Sequence, residues 1–466
     1  MRKSDKTHLP NQRKSHNFAK ISIMLYRKFA KNIEDFLHSE PEKILLVNGA
    51  RQIGKSFIIR YVGSQLFPNF VEINLREDKE GPQLFANVRT TTDLYIQLGI
   101  IAGDKLGRFE DTLVFLDEIQ EYPQLLTMLK FLRQDKRYRF IASGSLLGVA
   151  LHDTGSVPIG SIQIEQMYPL DFEEFLIAGG FSAEAIESLR DKCSNHEALD
   201  ENTHGYMLKK FREYLVTGGL PEAVDSFLAE LNVVKLRRIQ RDIHDLYKID
   251  CSKYDSDRKL SIRKVYDIIP SLMENRKKRL VVKDIEGKRG KQFSDYDQEF
   301  EYLINAGVAL EVRAISNPTF PISESETKSL LKLYLNDVGL LSYLLYNTNI
   351  NAILNDETSV NLGNVYETAV AQELHAHGFK LRYYDNKQKG EVDFLVDDYD
   401  SLSVLPIEVK SGKDYKVHSA LDAFLNTPDY GIKRAVVLSN ERKVYEENGI
   451  LYMPIYYIPF FLNNAV

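Results

Sequence analysis

The segment from Lys43 to Ile59 constrains this chain more than any other. Ile44 to Val47 is a short apolar run of the kind that makes a buried strand. Gly49-x-x-x-x-Gly54-Lys55-Ser56 follows, and Phe57, Ile58 and Tyr61 then set a helical apolar pattern. Strand, glycine-rich loop and helix in that order are the context a P-loop requires. Gly49 and Gly54 let the backbone curl, so that the N–H groups from Ala50, Arg51, Gln52 and Ile53 through to Phe57 face one anion. The N-terminus of the following helix adds partial positive charge.

The side chains suit a nucleotide triphosphate. Lys55 is placed to reach β- and γ-phosphates, and Ser56 to ligate Mg²⁺. A second segment, Thr112 to Glu118, buries four apolar residues and ends in two acids. Open parallel sheets bind ligands at the carboxyl ends of their strands. Asp117 is therefore expected beside the metal, and Glu118 is expected to orient or deprotonate the attacking water. A third strand, Tyr138 to Ala142, ends in Ser143-Gly144-Ser145, where Ser143 is a candidate γ-phosphate sensor. ATP and Mg²⁺ are the expected cofactors.

The chain has 466 residues, which at ~100–200 residues per domain suggests about three domains. A net charge of −6 excludes a uniformly basic nucleic-acid binder but leaves local patches open. Cys193 and Cys251 stand apart, with no Cys/His cluster for a structural zinc, and fit a reducing cytoplasm. No run of ~18 apolar residues suggests a membrane span. Residues 1–23 are a basic tail that reads as disordered.

The expected organisation is multidomain α/β. A P-loop parallel-sheet domain occupies 24–182, and a helical lid or connector 183–255. A winged-helix-like segment occupies 256–350, with helices at 261–275, 281–286 and 293–306 and strands at Ala309–Ile315 and Leu330–Leu335. Segment 260–292 has ten Lys/Arg against four Asp/Glu, which invites a DNA reading. The third helix carries Asp295, Asp297, Glu299 and Glu301, which would repel phosphate and favour a protein contact instead.

Residues 351–466 form the last expected domain, in αβββαβ order. A helix spans Asn364–His377. Strands follow at Lys380–Tyr384, Glu391–Val396 and Val404–Lys410, then a helix near 417–426 and a strand at Arg434–Leu438. Glu391 and Asp393 share one face of a strand, as do Glu408 and Lys410 on the next. With Glu367 on the preceding helix, these groups make a plausible Mg²⁺ site: Asp393 and Glu408 as ligands, Lys410 stabilising developing charge. The competing reading is a set of solvated strand-edge ion pairs.

Two resemblances add to this. The chain resembles the AAA-type ATPases, closest to a prokaryotic group that pairs a P-loop domain with a C-terminal domain of formerly unknown function. The resemblance rests on GARQIGKS at 49–56, VFLDEIQ at 114–120, ASGSLL at 142–147, MYPLDFEEFL at 167–176, LVTGGLPEAV at 215–224, RDI at 241–243 and LNDVGLL at 335–341. Many relatives carry an arginine just before the strand leading to the Tyr-Pro-Leu motif. Here that stretch is Pro158-Ile-Gly-Ser-Ile, leaving Arg133, Arg137, Arg139 and Arg241 as candidates for a transition-state arginine. The C-terminal pattern is similar to restriction-endonuclease-like nucleases, in which an Asp precedes an Asp/Glu-x-Lys strand; Asp393, Glu408, Lys410 and Glu367 match. These resemblances imply an ATPase coupled to a nuclease-like domain acting on DNA. The alternative is an ATP-gated switch whose C-terminal domain contacts a protein partner without cleaving. A homo-oligomer is compatible with either.

Overall fold

A computed structural model describes residues 25–39, 43–145, 147, 159–251, 258–274, 285, 292–315, 317–322, 326–357, 360–386, 388–412 and 414–461. The basic tail, the Arg276–Arg279 and Lys288–Lys291 clusters, Pro158 and nearly all of the expected helix 281–286 lie outside the described residues.

Strands β1 (Ile44–Asn48), β2 (Asn69–Asn74), β3 (Thr112–Asp117), β4 (Arg139–Gly144) and β5 (Ile162–Gln166) form one sheet in the order β2-β3-β4-β1-β5. Every neighbouring pair is parallel. Both faces are covered, which explains the unbroken apolar runs. Leu45, Val47, Leu113, Phe115 and Ile141 enter one core, while Ile44, Leu46, Val114, Leu116 and Ala142 enter another. Helices α1 (Lys28–His38) and α2 (Lys55–Leu66) pack on the first side. Helix α3 (Leu75–Glu80) follows β2; α4 (Thr91–Ala102) and α5 (Pro123–Asp135) cover the second side.

A helical array follows: α6 (Phe172–Ala178), α7 (Ala183–Ser194), α8 (Glu201–Thr217), α9 (Pro221–Glu230), α10 (Val233–Cys251), α11 (Lys259–Glu274) and α12 (Asp297–Asn305). Strands β6 (Ala309–Ile315) and β7 (Glu326–Leu335) then pair as an antiparallel hairpin. After α13 (Val338–Tyr346), α14 (Ile350–Leu354) and α15 (Gly363–Ala376) come β8 (Arg382–Asn386), β9 (Gly390–Asp398), β10 (Ser403–Val409), α16 (Ser419–Leu425) and β11 (Ala435–Ser439). The expected αβββαβ order is present, and β12 (Tyr445–Glu447), β13 (Ile450–Pro454) and α17 (Ile458–Phe461) follow it.

The hairpin differs from a self-contained wing. β6 pairs in parallel with β8, so the sheet runs β12-β13-β11-β10-β9-β8-β6-β7. Nor are the acids of the third helix all turned to solvent. Glu299 is buried, accepting from Ser261 and pairing with Arg258 at 3.3 Å, because the helix packs its Phe300 and Leu303 into the core. No described helix is long and apolar enough to cross a membrane.

Candidate functional site

The P-loop stands at the carboxyl end of β1. Gly49 has φ +148°, and a Cβ there would lie 2.4 Å from the carbonyl oxygen of Met167, so only glycine fits. Gly54 (φ +92°) turns the chain into α2. The Lys55 ammonium is buried and donates to the carbonyls of Gly49 and Ala50, at 2.9 and 2.8 Å. Burial pushes its pKa down to about 8, although Glu118 and Asp117 oppose that. Lys55 therefore closes the loop on itself, with a charge that a phosphate would satisfy better than two carbonyls.

β3 delivers the acids. Asp117 accepts from Ser143, which β4 places beside it, and from Ser56. Burial raises its pKa against those hydrogen bonds. Glu118 sits in the left-handed region (φ 54°, ψ 48°), a strained conformation for a residue with a side chain. Burial would raise its pKa, but Lys55, Gln120, Arg51 and Ser145 together outweigh that and hold Glu118 below the usual range. Gln120 donates to Glu118 Oε2, and Ser145 does so at 3.1 Å. An open cleft is lined by Ser56, Arg60, Glu72, Asn74, Glu77 and Asp117. The juxtaposed Ser56 and Asp117 oxygens suit a hard divalent cation, and the loop amides with Lys55 suit a triphosphate.

Several participants carried no recognised sequence signal. Arg27, just before α1, donates to the carbonyls of Ile53 (2.8 Å) and Tyr168 (2.5 Å) and pairs with Glu174 at 3.2 Å. It binds the P-loop to the Tyr-Pro-Leu motif. Arg51 pairs with Asp250 of α10 at 2.6 Å and donates to Ser145 at 3.2 Å. The Tyr247 hydroxyl donates to the Arg51 carbonyl at 2.8 Å. The four candidates for a transition-state arginine hold other partners. Arg139 opens β4, at the end opposite Gly144, and donates to the Leu37 carbonyl. Arg137 stacks on Tyr95 and Tyr138. Arg133 reaches Gly160 and Ser161, and Arg241 is exposed against Asp242. Three of the four sit toward the amino ends of parallel strands, away from the ligand edge.

The second constellation gathers on β9, β10 and α15. The β9–β10 register pairs Phe394 with Ile407, which sets Asp393 beside Glu408. Asp393 Oδ2 accepts from the Val409 N–H at 2.9 Å, and Lys410 Nζ lies 2.8 Å from Glu408 Oε1. Burial, then the neighbouring Asp393 charge, pushes Glu408 up to about 8, with Glu367 adding to the effect. Glu367 accepts from the Tyr334 hydroxyl at 3.3 Å. Glu391 does not stand free with them: it pairs with Lys332 of β7. Lys332 and Tyr334 escaped the sequence reading because they lie on a strand far upstream of the Asp…Glu-x-Lys pattern.

One helix joins the two constellations. α15 carries Glu367, and further along Gln372 and Glu373. Glu373 accepts from the Phe172 N–H at 2.6 Å, and Gln372 donates to the Tyr214 hydroxyl at 2.9 Å. Phe172 belongs to the motif that begins at Met167, whose N–H donates to the Asn48 carbonyl at 2.8 Å.

A parallel sheet with this loop and acid pair defines a P-loop protein. Residues 41–176 match the AAA domain family, so this part of the chain is similar to AAA-type ATPase domains. Residues 208–351 and 362–458 match two domains of unknown function (DUF8612 and DUF4143). No curated protein matches the chain. Among solved structures, the chain is similar to the Walker-type ATPase PABY2304 of Pyrococcus abyssi. The identity there is 16%, covering 69% of this chain and 96% of that one, with a TM-score of 0.41. It is also similar to the Thermotoga maritima RuvB Holliday junction branch migration motor, at 16% identity, 61% and 89% coverage and a TM-score of 0.27. The Aeropyrum pernix Orc1 protein in complex with DNA aligns at 12% identity, 71% and 91% coverage and a TM-score of 0.26.

Proposed function

We propose that this protein is an Mg²⁺-dependent ATPase whose nucleotide state acts on a C-terminal, nuclease-like metal site directed at DNA. The observation that carries the first half is the juxtaposition of Lys55, Ser56, Asp117 and Glu118 at the ligand edge of the parallel sheet. Lys55 and the loop amides bind and orient the phosphates. Ser56 and Asp117 would hold Mg²⁺, which supplies charge neutralisation on the phosphoryl oxygens. Glu118, kept ionised beside Lys55 and aimed by Gln120 and Ser145, positions a water and takes its proton.

The coupling half rests on α15. Glu367 and Glu373 are six residues apart, about 9 Å along one rigid helix. A shift of the Met167–Phe172 segment against the P-loop therefore moves the helix that bears Glu367. At the C-terminal site, Asp393 and Glu408 would hold a divalent ion, which supplies an activated water and a clamp on a phosphodiester. Lys410 would stabilise the charge that develops.

The Glu408–Lys410 and Glu391–Lys332 pairs favour a second reading, in which the site is self-neutralised and serves as a non-cleaving, ATP-gated contact for a partner. Two assays on the full chain separate these readings: phosphate release from ATP, and Mg²⁺-dependent cleavage of branched and single-stranded DNA. ATP turnover with cleavage that disappears in Asp393→Asn supports the first reading. Turnover without any cleavage supports the switch. No turnover sinks both.

A further inference from the structure

Lys332 has no solvent exposure at all. Its ammonium pairs with Glu391, lies 4.3 Å from the centre of the Tyr383 ring, and feels the charges of Glu367 and Asp393. Burying an ammonium is costly unless it is paired, and apolar residues of similar volume stabilise a sheet at least as well. Packing alone does not account for a lysine here, but its position among carboxylates does.

Four carboxylates gather in this cluster: Glu367, Glu391, Asp393 and Glu408. Two ammonium groups, Lys332 and Lys410, face them. Formally ionised, the cluster carries −2, the charge that one divalent cation cancels. Glu391 and Asp393 lie two residues apart on β9 and so project to the same side. Without Lys332, the Glu391 carboxylate would stand uncompensated against the Asp393 charge, the arrangement that a second cation relieves where two metals share carboxylates.

We propose that Lys332 is a built-in counter-cation that holds Glu391 out of metal coordination and limits this site to one divalent ion, carried by Asp393 and Glu408. The inference rests on the metal-site reading above and assigns Lys332 a positioning role. It sets the metal count, through Glu391, without touching the ion. Glu391 in turn screens the ion from the lysine's charge.

Mn²⁺ binding to the nucleotide-free full chain, counted by electron paramagnetic resonance, tests this. Every sample carries Asp117→Asn so that the P-loop site does not contribute. The parent should bind one ion. Lys332→Met should bind two, melt lower without metal, and gain more melting temperature from Mn²⁺ than the parent does. Glu391→Gln keeps the shape but exposes the remaining carboxylates to an unpaired Lys332, and should weaken Mn²⁺ about tenfold or more. The double variant Lys332→Met/Glu391→Gln should return to one ion at near-parent affinity, and it decides the matter if Lys332→Met alone does not fold. A folded Lys332→Met that still binds one ion, or a Glu391→Gln with unchanged affinity, would overturn the inference and leave the metal site standing. A parent that binds no Mn²⁺ overturns both.

Discussion

Asp250 grips the Arg51 guanidinium at 2.6 Å, and so fastens the P-loop to α10, which lies far along the chain. Both side chains are nearly buried, at 13% and 11% exposure. Tyr247, one turn earlier on the same helix, holds the Arg51 carbonyl. The phosphate loop is thus braced from outside its own sheet.

Breaking that brace should be expensive. Asp250→Asn leaves Arg51 with a hydrogen bond but without its ion-pair partner, and removing one partner of a buried pair costs about 3–5 kcal/mol. The melting temperature should fall clearly. Arg51→Met/Asp250→Asn should fall by less than the sum of the two single changes, because the orphaned charge is gone. Additive shifts across the four proteins would show that the pair is not coupled.

The catalytic assignments separate binding from turnover. Lys55→Ala should lose most ATP binding, measured by calorimetry, because the buried ammonium that donates to the Gly49 and Ala50 carbonyls disappears. Glu118→Gln should keep that binding and slow phosphate release by roughly 10²–10⁴-fold, the usual share of a positioned general base. Wild-type turnover in Glu118→Gln would remove Glu118 from the mechanism.

Glu408 sets a pH dependence of definite sign. Its folded pKa of about 8 stands above the ordinary 4.5. Between these values the folded state binds more protons than the unfolded, so stability falls as pH rises from about 4.5 to about 8. Lys55, lowered from 10.5 to about 8, acts with the opposite sign and only above that window. Metal-free thermal melts from pH 5 to 8 should show the fall, and Glu408→Gln should flatten it. Mn²⁺ affinity should rise over the same range as the competing proton leaves.

Gly339 tests how tightly the regions are joined. A Cβ there would lie 2.3 Å from the Thr217 carbonyl oxygen and 2.6 Å from the Gly218 nitrogen, both backbone atoms. Gly339→Ala should therefore force α13 away from the end of α8 and break the bond from the Gly219 N–H to Asp337 at 2.6 Å. The expected result is a loss of several kcal/mol, of the kind overpacking produces, seen as a markedly lower melting temperature or as insoluble protein. A near-native melt would mean that the helices separate at little cost.

The local grammar is written along the chain. The P-loop could be read because phosphate binding fixes glycines, lysine and hydroxyl within eight consecutive positions, Gly49 to Ser56. Asp117 and Glu118 could be read because a buried strand must end before it can bear two acids. The αβββαβ order, with Asp393, Glu408 and Lys410, followed from the two-residue period of strands. Contacts whose partners have no fixed spacing along the chain emerge only when distant elements pack. Arg27 on the P-loop, Asp250 on Arg51, Lys332 on Glu391, and β6 joining β8 are all of this kind. A lone arginine or lysine in a sequence looks the same whether it ends in solvent or in a core. Only the packing of distant elements removes the water that would otherwise make such a charge unremarkable, and turns it into a partner that the fold must supply.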